Sequence, residues 1–320
     1  MKKMFVVLNV AISLFVVACG GGGETASSTT ITPITNMVSL ASDNPASSVV
    51  VAGQAIADLA HFTFTNNDTI TNVKLQRTGI SLNTTLANVY LYQGNTRVSD
   101  GVAVNNTDGS ITFNNLSIAV NGSVTLKVMA DIAALTSGQI VGVQLVSYTT
   151  SGNTMSSASI SGNNMSVAAA TMATAQVGAN TIVPANVNVG TAAYRLWSAP
   201  ITANIHPVQL KGAIFKYIGT APTNALANLS LYVNGCQVGQ TTAVNLLNNV
   251  EFNFPLSPIL IGVGTTAVIE VRADIVGGST HNVRLSMQGP SDLVVEDSLL
   301  GVDVTLASFT TNDGGVIDIH

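Results

Sequence analysis

The feature that most constrains this chain is an internal repeat of four matched segments. Their spacings are 140, 143, 140 and 137 residues, in one order along the chain. The matches are 86–92 (LANVYLY) with 226–232 (LANLSLY), 127–132 (KVMADI) with 270–275 (EVRADI), 143–145 (VQL) with 283–285 (VRL), and Gly53 with Gly190. Near-constant spacing indicates two copies of one fold. We predict that they span residues 35–170 and 171–320.

Each copy alternates apolar and polar residues as β-strands do. Residues 61–65 (HFTFT), 73–75 (VKL) and 123–128 (SVTLKV) have a period of two, which places their apolar side chains on one face of a sheet. Turn signals such as Gly94-Asn95 and Asn234-Gly235 separate the runs. Their spacing of about 8 to 12 residues is typical of a β-sandwich. We therefore predict an all-β chain of two tandem antiparallel sandwiches.

The segments LANVYLY, SITFNNLSIAV and LKVMADI resemble those of immunoglobulin-like repeats in exported bacterial proteins. The resemblance covers both copies, about 280 residues in all. It implies immunoglobulin-like sandwiches and a place at the cell surface. An antibody-type core is not expected, because Trp197 lacks the flanking pair of cysteines found there.

The first residues have the layout of an export signal. Two lysines follow Met1, and residues 4–18 form a 15-residue run that is almost entirely apolar. The run is shorter than the roughly 20 residues of a membrane-spanning helix. Its end, Val16-Val17-Ala18-Cys19, resembles the lipobox of bacterial lipoproteins. That resemblance implies cleavage after residue 18 and acylation of Cys19, with palmitate among its fatty acids.

The lipobox resemblance also bears on location. Lipoproteins kept at the inner membrane tend to carry aspartate after the cysteine, whereas this chain has Gly20. We therefore expect the outer membrane or the cell surface, with the membrane a partner through the lipid. Residues 19–34 (CGGGGETASSTTITPI) are rich in Gly, Ser and Thr, and we predict that they form a flexible tether.

Composition excludes several classes of function. Without residues 1–18 the chain would keep 9 Lys and Arg against 16 Asp and Glu, a charge of about −7. No basic patch is present, so nucleic acid is not an expected partner. If Cys19 is acylated, Cys236 has no partner for a disulfide within the chain. We expect Cys236 to be a small half-buried residue; an intermolecular disulfide is the alternative.

Motifs of metal binding and catalysis are missing from the sequence. The histidines His61, His206, His281 and His320 are widely separated, and no Cys-x-x-Cys pair or Gly-x-Ser-x-Gly motif occurs. We therefore predict no catalytic residue, metal site or cofactor, and no enzyme activity. A hydrolase with an unrecognised site remains a third, minor hypothesis.

Carboxylates in turns and at strand ends allow two interpretations. Acidic turns such as Asn67-Asp68 could bind calcium, but they lack the alternating aspartates of a calcium loop, and closing the turn is the favoured role. Asp131 and Asp274 share the sequence Ala-Asp-Ile in the two copies. They could be ligands or catalytic groups, or they could cap a strand and fix the next turn. The second interpretation is favoured because the copies share a fold.

Aromatic side chains are the candidates for ligand binding. Trp197 stands where the first copy has Ala60, so it is either an exposed anchor or, as the favoured alternative, a core residue. Tyr90 becomes Ser230 in the second copy, which suggests an exposed face. The leading hypothesis is a lipid-anchored structural or adhesive surface protein that binds envelope proteins, or copies of itself, without catalysis. The alternative is a carbohydrate-binding lipoprotein that uses exposed aromatic residues.

Overall fold

Two separate hydrophobic cores organise the chain. The computed structural model describes residues 37–320, with the side chains of residues 153–157 excepted. One core draws its buried residues from the stretch between Val50 and Val167, and the other from the stretch between Ala173 and Ile319. The predicted signal peptide, Cys19 and the predicted tether lie outside the described residues. The described residues belong to one compact unit.

The first core lies inside a sandwich of ten strands. These are β1 (Met37–Leu40), β2 (Val49–Val51), β3 (Ala57–Thr78), β4 (Leu86–Gln93), β5 (Thr96–Arg97), β6 (Ser110–Phe113), β7 (Ile118–Ile132), β8 (Ile140–Thr150), β9 (Asn153–Ser161) and β10 (Met165–Ala168). Their order is β2-β10-β8-β3-β7-β4-β5, with β1 and β6 also paired to β3 and β9 paired to β8. A 3₁₀ turn (Asn83–Thr85) precedes β4.

A long antiparallel ribbon of β3 and β7 connects the two layers of this sandwich. It runs from the pair Ala57 and Ala130 to the pair Ile70 and Ile118. Beyond that point β3 pairs with β8 and β6 instead. The side chains of Phe62 and Phe64 point into the core, as the period of two predicted.

The second core lies inside a sandwich of fourteen strands. These are β11 (Thr174–Val177), β12 (Ala185–Val187), β13 (Tyr194–Asn204), β14 (Val208–Gly219), β15 (Leu226–Val233), β16 (Cys236–Thr242), β17 (Asn249–Asn253), β18 (Ile259–Ile261), β19 (Thr266–Ile275), β20 (Asn282–Met287), β21 (Leu293–Asp297), β22 (Val302–Val304), β23 (Asn312–Asp313) and β24 (Ile317–Ile319). A 3₁₀ turn (Thr223–Ala225) precedes β15.

The second sandwich consists of two sheets. One has the order β11-β13-β19-β15-β16, and the other has the order β12-β24-β20-β14-β21-β22, with β17 and β18 on β14 and β23 on β20. The segment equivalent to β3 is divided here into β13 and β14. Ile205, with a φ of 69°, and Pro207 form the corner between them. Proline lacks the N–H that a continuous ladder needs, so the strand ends there.

The predicted fold class is confirmed, since both bodies are antiparallel sandwiches with matching strands. In each, a parallel pair closes one edge: β2 with β10 in the first and β12 with β24 in the second. The C-terminal segment forms β23 and β24. In the described part of the chain, no helix has the length and apolar character needed to cross a membrane.

Asp131 and Asp274 occupy equivalent places at the ends of β7 and β19. Oδ1 of Asp131 accepts a hydrogen bond from the N–H of Ile56 at 3.1 Å, and Oδ1 of Asp274 accepts one from Ala193 at 2.7 Å. Each carboxylate also accepts from an asparagine, Asn88 or Asn228. In both copies the aspartate therefore fixes the turn that leads into a long strand, which is the structural role favoured from the sequence.

Candidate interaction site at the junction of the two sandwiches

Tyr90 lies buried where the two sandwiches meet. The expectation that its face of β4 is exposed is wrong, because the side chain keeps 3% of its accessible surface. Val89 and Leu91 point into the first core, so Tyr90 points outward from it. There it lines a space between the sandwiches together with Arg97 of the first and Asp292 of the second. The counterpart Ser230 is buried within the second sandwich, where its hydroxyl donates to the carbonyl of Asn228.

The hydroxyl of Tyr90 belongs to a hydrogen-bond network centred on Asp131. Tyr90 Oη donates to Asp131 Oδ2 at 2.8 Å, and Ser291 Oγ of the second sandwich donates to Asp131 Oδ1 at 2.6 Å. Burial, together with the charge of Asp131, raises the pKa of Tyr90 well above its usual value, so the hydroxyl stays a donor. Asp131, which fixes a turn in the first copy as Asp274 does in the second, thus also connects the two sandwiches.

Arg97 and Asp292 form a buried ion pair between the sandwiches. Nη1 of Arg97 lies 2.7 Å from Oδ1 of Asp292, and the two side chains are 7% and 5% exposed. Oδ2 of Asp292 also accepts hydrogen bonds from the backbone N–H groups of Gln288 and Gly289. The guanidinium lies 5.3 Å from the centre of the Tyr90 ring, a cation–π distance. Removing either charge would leave the other buried and unpaired.

Backbone contacts extend the junction to the edge of a sheet. Gln54 forms a β-bridge with Val304 on β22, and the N–H of Ala55 donates to the carbonyl of Asp303 at 2.8 Å. The segment before β3 therefore pairs with edge strand β22 of the second sandwich. An uncovered edge could pair with another chain, and here this part of the edge is occupied within the molecule.

A cleft with mixed lining lies beside these contacts. Its apolar walls come from both sandwiches, with Tyr92 and Met129 from the first and Ile214 and Val294 from the second. Its charged lining residues are Lys127, Lys211, Glu251 and Asp303. Lys211 Nζ lies 2.6 Å from Asp303 Oδ1 and 2.9 Å from Glu296 Oε2. Apolar and charged side chains of both sandwiches thus meet in this cleft.

Glu251 makes the junction sensitive to pH. Its Oε1 accepts hydrogen bonds from the Asn253 side chain and the Arg97 N–H, yet burial outweighs them and raises its pKa. The folded state thus holds the proton more tightly than the unfolded state. The resulting stabilisation is present below about 4.5, the ordinary glutamate value, and is lost as pH rises through the folded-state pKa.

We expect Glu251→Gln to melt at a higher temperature than the wild type near neutral pH, because the amide keeps the acceptor without a buried charge. The difference should vanish on acidification. Glu270→Gln is the matched control: hydrogen bonds from Arg272 and Arg195 outweigh burial there and lower the pKa of Glu270. That variant should lose stability near neutral pH. Destabilisation of both variants at neutral pH would contradict the assignment.

The face of the second sandwich formed by β15 and β19, which corresponds to the junction face of the first sandwich, is polar. There Tyr232 is stacked under Arg272, whose guanidinium carbon lies 4.1 Å from the ring centre. Glu270 binds Arg272 and also Arg195, at 2.8 Å from the latter's Nη1. Residues equivalent to the junction of the first sandwich thus form a surface network in the second. The buried tyrosine and arginine that the first copy contributes to the junction are thus specific to that copy.

Trp197 lies in the core of the second sandwich, with no exposed surface. Its ring centre is 4.8 Å from that of Phe215, and its Nε1 donates to the carbonyl of Asn312 at 3.2 Å. The core alternative for Trp197 is the one observed, so its ring faces are not available for stacking on a sugar. Cys236, expected to be half-buried, is exposed at the start of β16.

Among residues 37–320, no three His, Cys, Asp or Glu side chains come together as metal ligands. The acidic turn at Asp68 is closed locally. Asp68 accepts hydrogen bonds from the N–H groups of Thr69 and Gly152 and from the hydroxyl of Ser151. Hydrogen bonds from Ser151 and its neighbours hold the pKa of Asp68 well below its usual value. These contacts use its oxygens for the turn itself.

Comparison with known proteins gives distant structural likeness. No protein-family model matches the chain, and no curated protein matches it. Among solved structures, the chain is similar to the C-terminal domain of AspA, an antigen I/II-family protein of Streptococcus pyogenes. Identity is 9%, the alignment covers 89% of this chain and 99% of that one, and the TM-score is 0.22.

Two further structures have a similar relation to the chain. The collagen adhesin CNA of S. aureus is 12% identical, with 88% of this chain and 92% of that one covered and a TM-score of 0.19. The collagen-binding domain of RspB from Erysipelothrix rhusiopathiae is 9% identical, with 87% and 96% covered and a TM-score of 0.15. At these identities and TM-scores the likeness carries no argument about function.

Proposed function

We propose that this chain is a lipid-anchored surface protein that acts by contact, without catalysis, as a structural or adhesive module. Residues 1–18 are its signal peptide, Cys19 carries the lipid and residues 19–34 are the tether. Residues 35–170 and 171–320 are its two domains. Its mechanism is display, in which the tether presents a rigid pair of sandwiches to envelope proteins or to other copies of the chain.

The observation that carries this proposal is the buried polar junction. Arg97 with Asp292, and Tyr90 with Asp131 and Ser291, hold the two sandwiches as one body. Buried pairs that satisfy each other fix one arrangement of the parts they join. A body of fixed shape loses less conformational entropy on binding than two loosely joined domains. A fixed arrangement of the two sandwiches therefore favours a protein that functions by binding partners at its surface.

The anchor is tested by labelling cells with radioactive palmitate. We expect label in the wild type and none in Cys19→Ala, because two or more acyl chains on Cys19 give stable membrane attachment. Cys236→Ser is the matched control and should keep the label, since it removes the chain's other cysteine. Equal labelling of wild type and Cys19→Ala would overturn the anchor. Capture of envelope components by the lipidated protein would then identify the partner.

The carbohydrate-binding alternative lacks the residues on which it was based. Trp197 has no exposed surface and Tyr90 keeps 3%. A stacking site needs an exposed ring face. We retain the contact function as the proposal, and a glycan array with the purified protein would show whether other residues bind sugars.

A further inference from the structure

Two neighbouring loops of the first sandwich expose aliphatic side chains. Residues 79–85 carry Ile80 and Leu82, residues 133–139 carry Leu135, and β8 begins with Ile140. These four side chains are 81%, 64%, 100% and 36% exposed, respectively. We name them the aliphatic loop patch. Isolated exposed aliphatic side chains are common, but two leucines and two isoleucines on adjoining loops indicate a surface for contact.

Hydrogen bonds hold the two loops together. The N–H of Ile140 donates to the carbonyl of Ile80 at 3.0 Å, and the N–H of Leu82 donates to Oε1 of Gln139 at 3.0 Å. Beneath the first loop, Arg77 donates from Nε to Asn83 at 2.8 Å and from Nη1 to Ser81 at 2.7 Å. The patch is therefore built on a fixed backbone.

Leu135 is a strained residue with a fully exposed side chain. Its φ is 61°, in the left-handed region that side chains with a Cβ disfavour. The second sandwich has Gly278 at the matching place, with a φ of 87°. Each of the two residues lies three positions after the isoleucine of the shared Ala-Asp-Ile segment. Glycine suits this backbone, and leucine makes no core contact in return. A strained residue whose side chain gives nothing to the core is a candidate for a role in contact.

The other patch residues also differ from their counterparts. Gly79 and Gly219 are equivalent, because a Cβ on either would lie 2.3 Å from a carbonyl oxygen, that of Ile140 or of Asn282. Counting from these glycines matches Ile80 with Thr220 and Leu82 with Pro222. The two copies share the loop geometry, and in the second copy Val276, 53% exposed, is the one large aliphatic side chain that the described loops 219–225 and 276–281 expose. The fold does not require these side chains, so contact explains them better.

The chemistry of the patch favours lipid over protein as its partner. Residues 79–85 and 133–140 contain no charged side chain and no aromatic one, and their polar members are hydroxyls and amides. Protein hot spots are enriched in Trp, Tyr and Arg. Aliphatic side chains gain free energy on leaving water for the acyl region, and no charged group of these loops would have to leave water with them. An acidic body could approach an anionic membrane most closely at such an uncharged surface.

The length of the tether allows this contact. Residues 20–36 separate Cys19 from the first described residue, and seventeen residues reach at most about 56 Å when extended. Met37 pairs with Thr65, and thirteen residues of β3, at most about 43 Å of strand, separate Thr65 from Thr78, which directly precedes the patch. A lipid on Cys19 could thus anchor the chain while these loops meet the same bilayer.

We propose that the aliphatic loop patch docks the body on the lipid bilayer to which Cys19 is attached. This rests on the proposed anchor. The lipidated protein, with Cys236→Ser, is reconstituted in vesicles of phosphatidylethanolamine and phosphatidylglycerol. An environment-sensitive fluorophore is attached through Leu135→Cys or, as the matched control, through Leu256→Cys, a position that is 96% exposed in the second sandwich.

We expect the emission of the probe at position 135 to shift to the blue on reconstitution, and that of the probe at 256 to stay unchanged. Equal emission at both positions, or a shift at 135 that needs envelope proteins, would overturn the proposal. Failure of the anchor is recognised separately, because the protein would then not sediment with the vesicles. Leu135→Gly should also melt at the same or a higher temperature, and a loss of stability would assign Leu135 to the fold instead.

Discussion

Arg97→Ala is expected to destabilise the protein by about 3–5 kcal/mol, the cost of leaving one partner of a buried ion pair alone. Asp292 would keep its backbone donors Gln288 and Gly289 but lose the only cation within 4 Å that the structure gives it among the described residues. The cation–π contact with Tyr90 would also be lost. Few single surface substitutions have effects of this size.

The same substitution should also change the form of the unfolding curve. The junction contacts couple two separate cores, so the wild type is expected to unfold in one transition. Weakening the junction should divide this into two transitions. Urea unfolding followed by circular dichroism measures both the midpoint and the number of steps.

Arg272→Ala is the control for this prediction. Arg272 also pairs with a carboxylate and stacks on a tyrosine, but its side chain is 30% exposed on the open face of the second sandwich. We expect a loss of no more than about 1 kcal/mol there. If the two arginine variants had the same stability, the buried junction would not be what joins the sandwiches.

The repeat and the strand pattern could be predicted because they are local properties of the sequence. A period of two places Phe62 and Phe64 in the core, and the shared Ala-Asp-Ile segment places Asp131 and Asp274 at equivalent turns. The favoured structural role of these aspartates followed from their occurrence in both copies. Each of these inferences needs only neighbouring residues and the comparison of two segments.

The junction could not be predicted because its partners are distant in sequence. Arg97 and Asp292 are 195 residues apart, and no pattern connects them. Alternation showed that Tyr90 points away from the core, but not that another sandwich covers that side. A usable signal was the difference between copies. Ser230 is the counterpart of Tyr90, and the uncharged Gln237 is the counterpart of Arg97. Aromatic and charged residues that occur in one copy and not in the other therefore mark the contact.

Trp197 was ambiguous because a β-bulge interrupts the alternation beside it. The register of β13 against β19 shifts between Arg195 and Trp197, so Leu196 and Trp197 are both buried. The same shift occurs in the first sandwich between Asp58 and Ala60, where Leu59 and Ala60 are both buried. A bulge adds one residue to a strand and changes which side chains face inward. Strict alternation cannot place residues on both sides of it.

Trp197→Ala is therefore expected to cost about 3–5 kcal/mol, as large-to-small changes in a core do. It would remove the ring that packs on Phe215 and leave the carbonyl of Asn312 without its donor. Because Trp197 is the only tryptophan in the chain, unfolding should be followed by circular dichroism rather than by fluorescence.

Trp197→Phe separates the two contributions. Phenylalanine keeps an aromatic ring against Phe215 but has no N–H for Asn312, so we expect a smaller loss, about 1–3 kcal/mol. An exposed anchor would behave differently, since its removal would leave stability within about 0.5 kcal/mol of the wild type and affect only ligand binding. Unchanged stability in Trp197→Ala would thus contradict the buried position, whereas a large loss that phenylalanine partly restores would establish Trp197 as a residue that holds the second sandwich together.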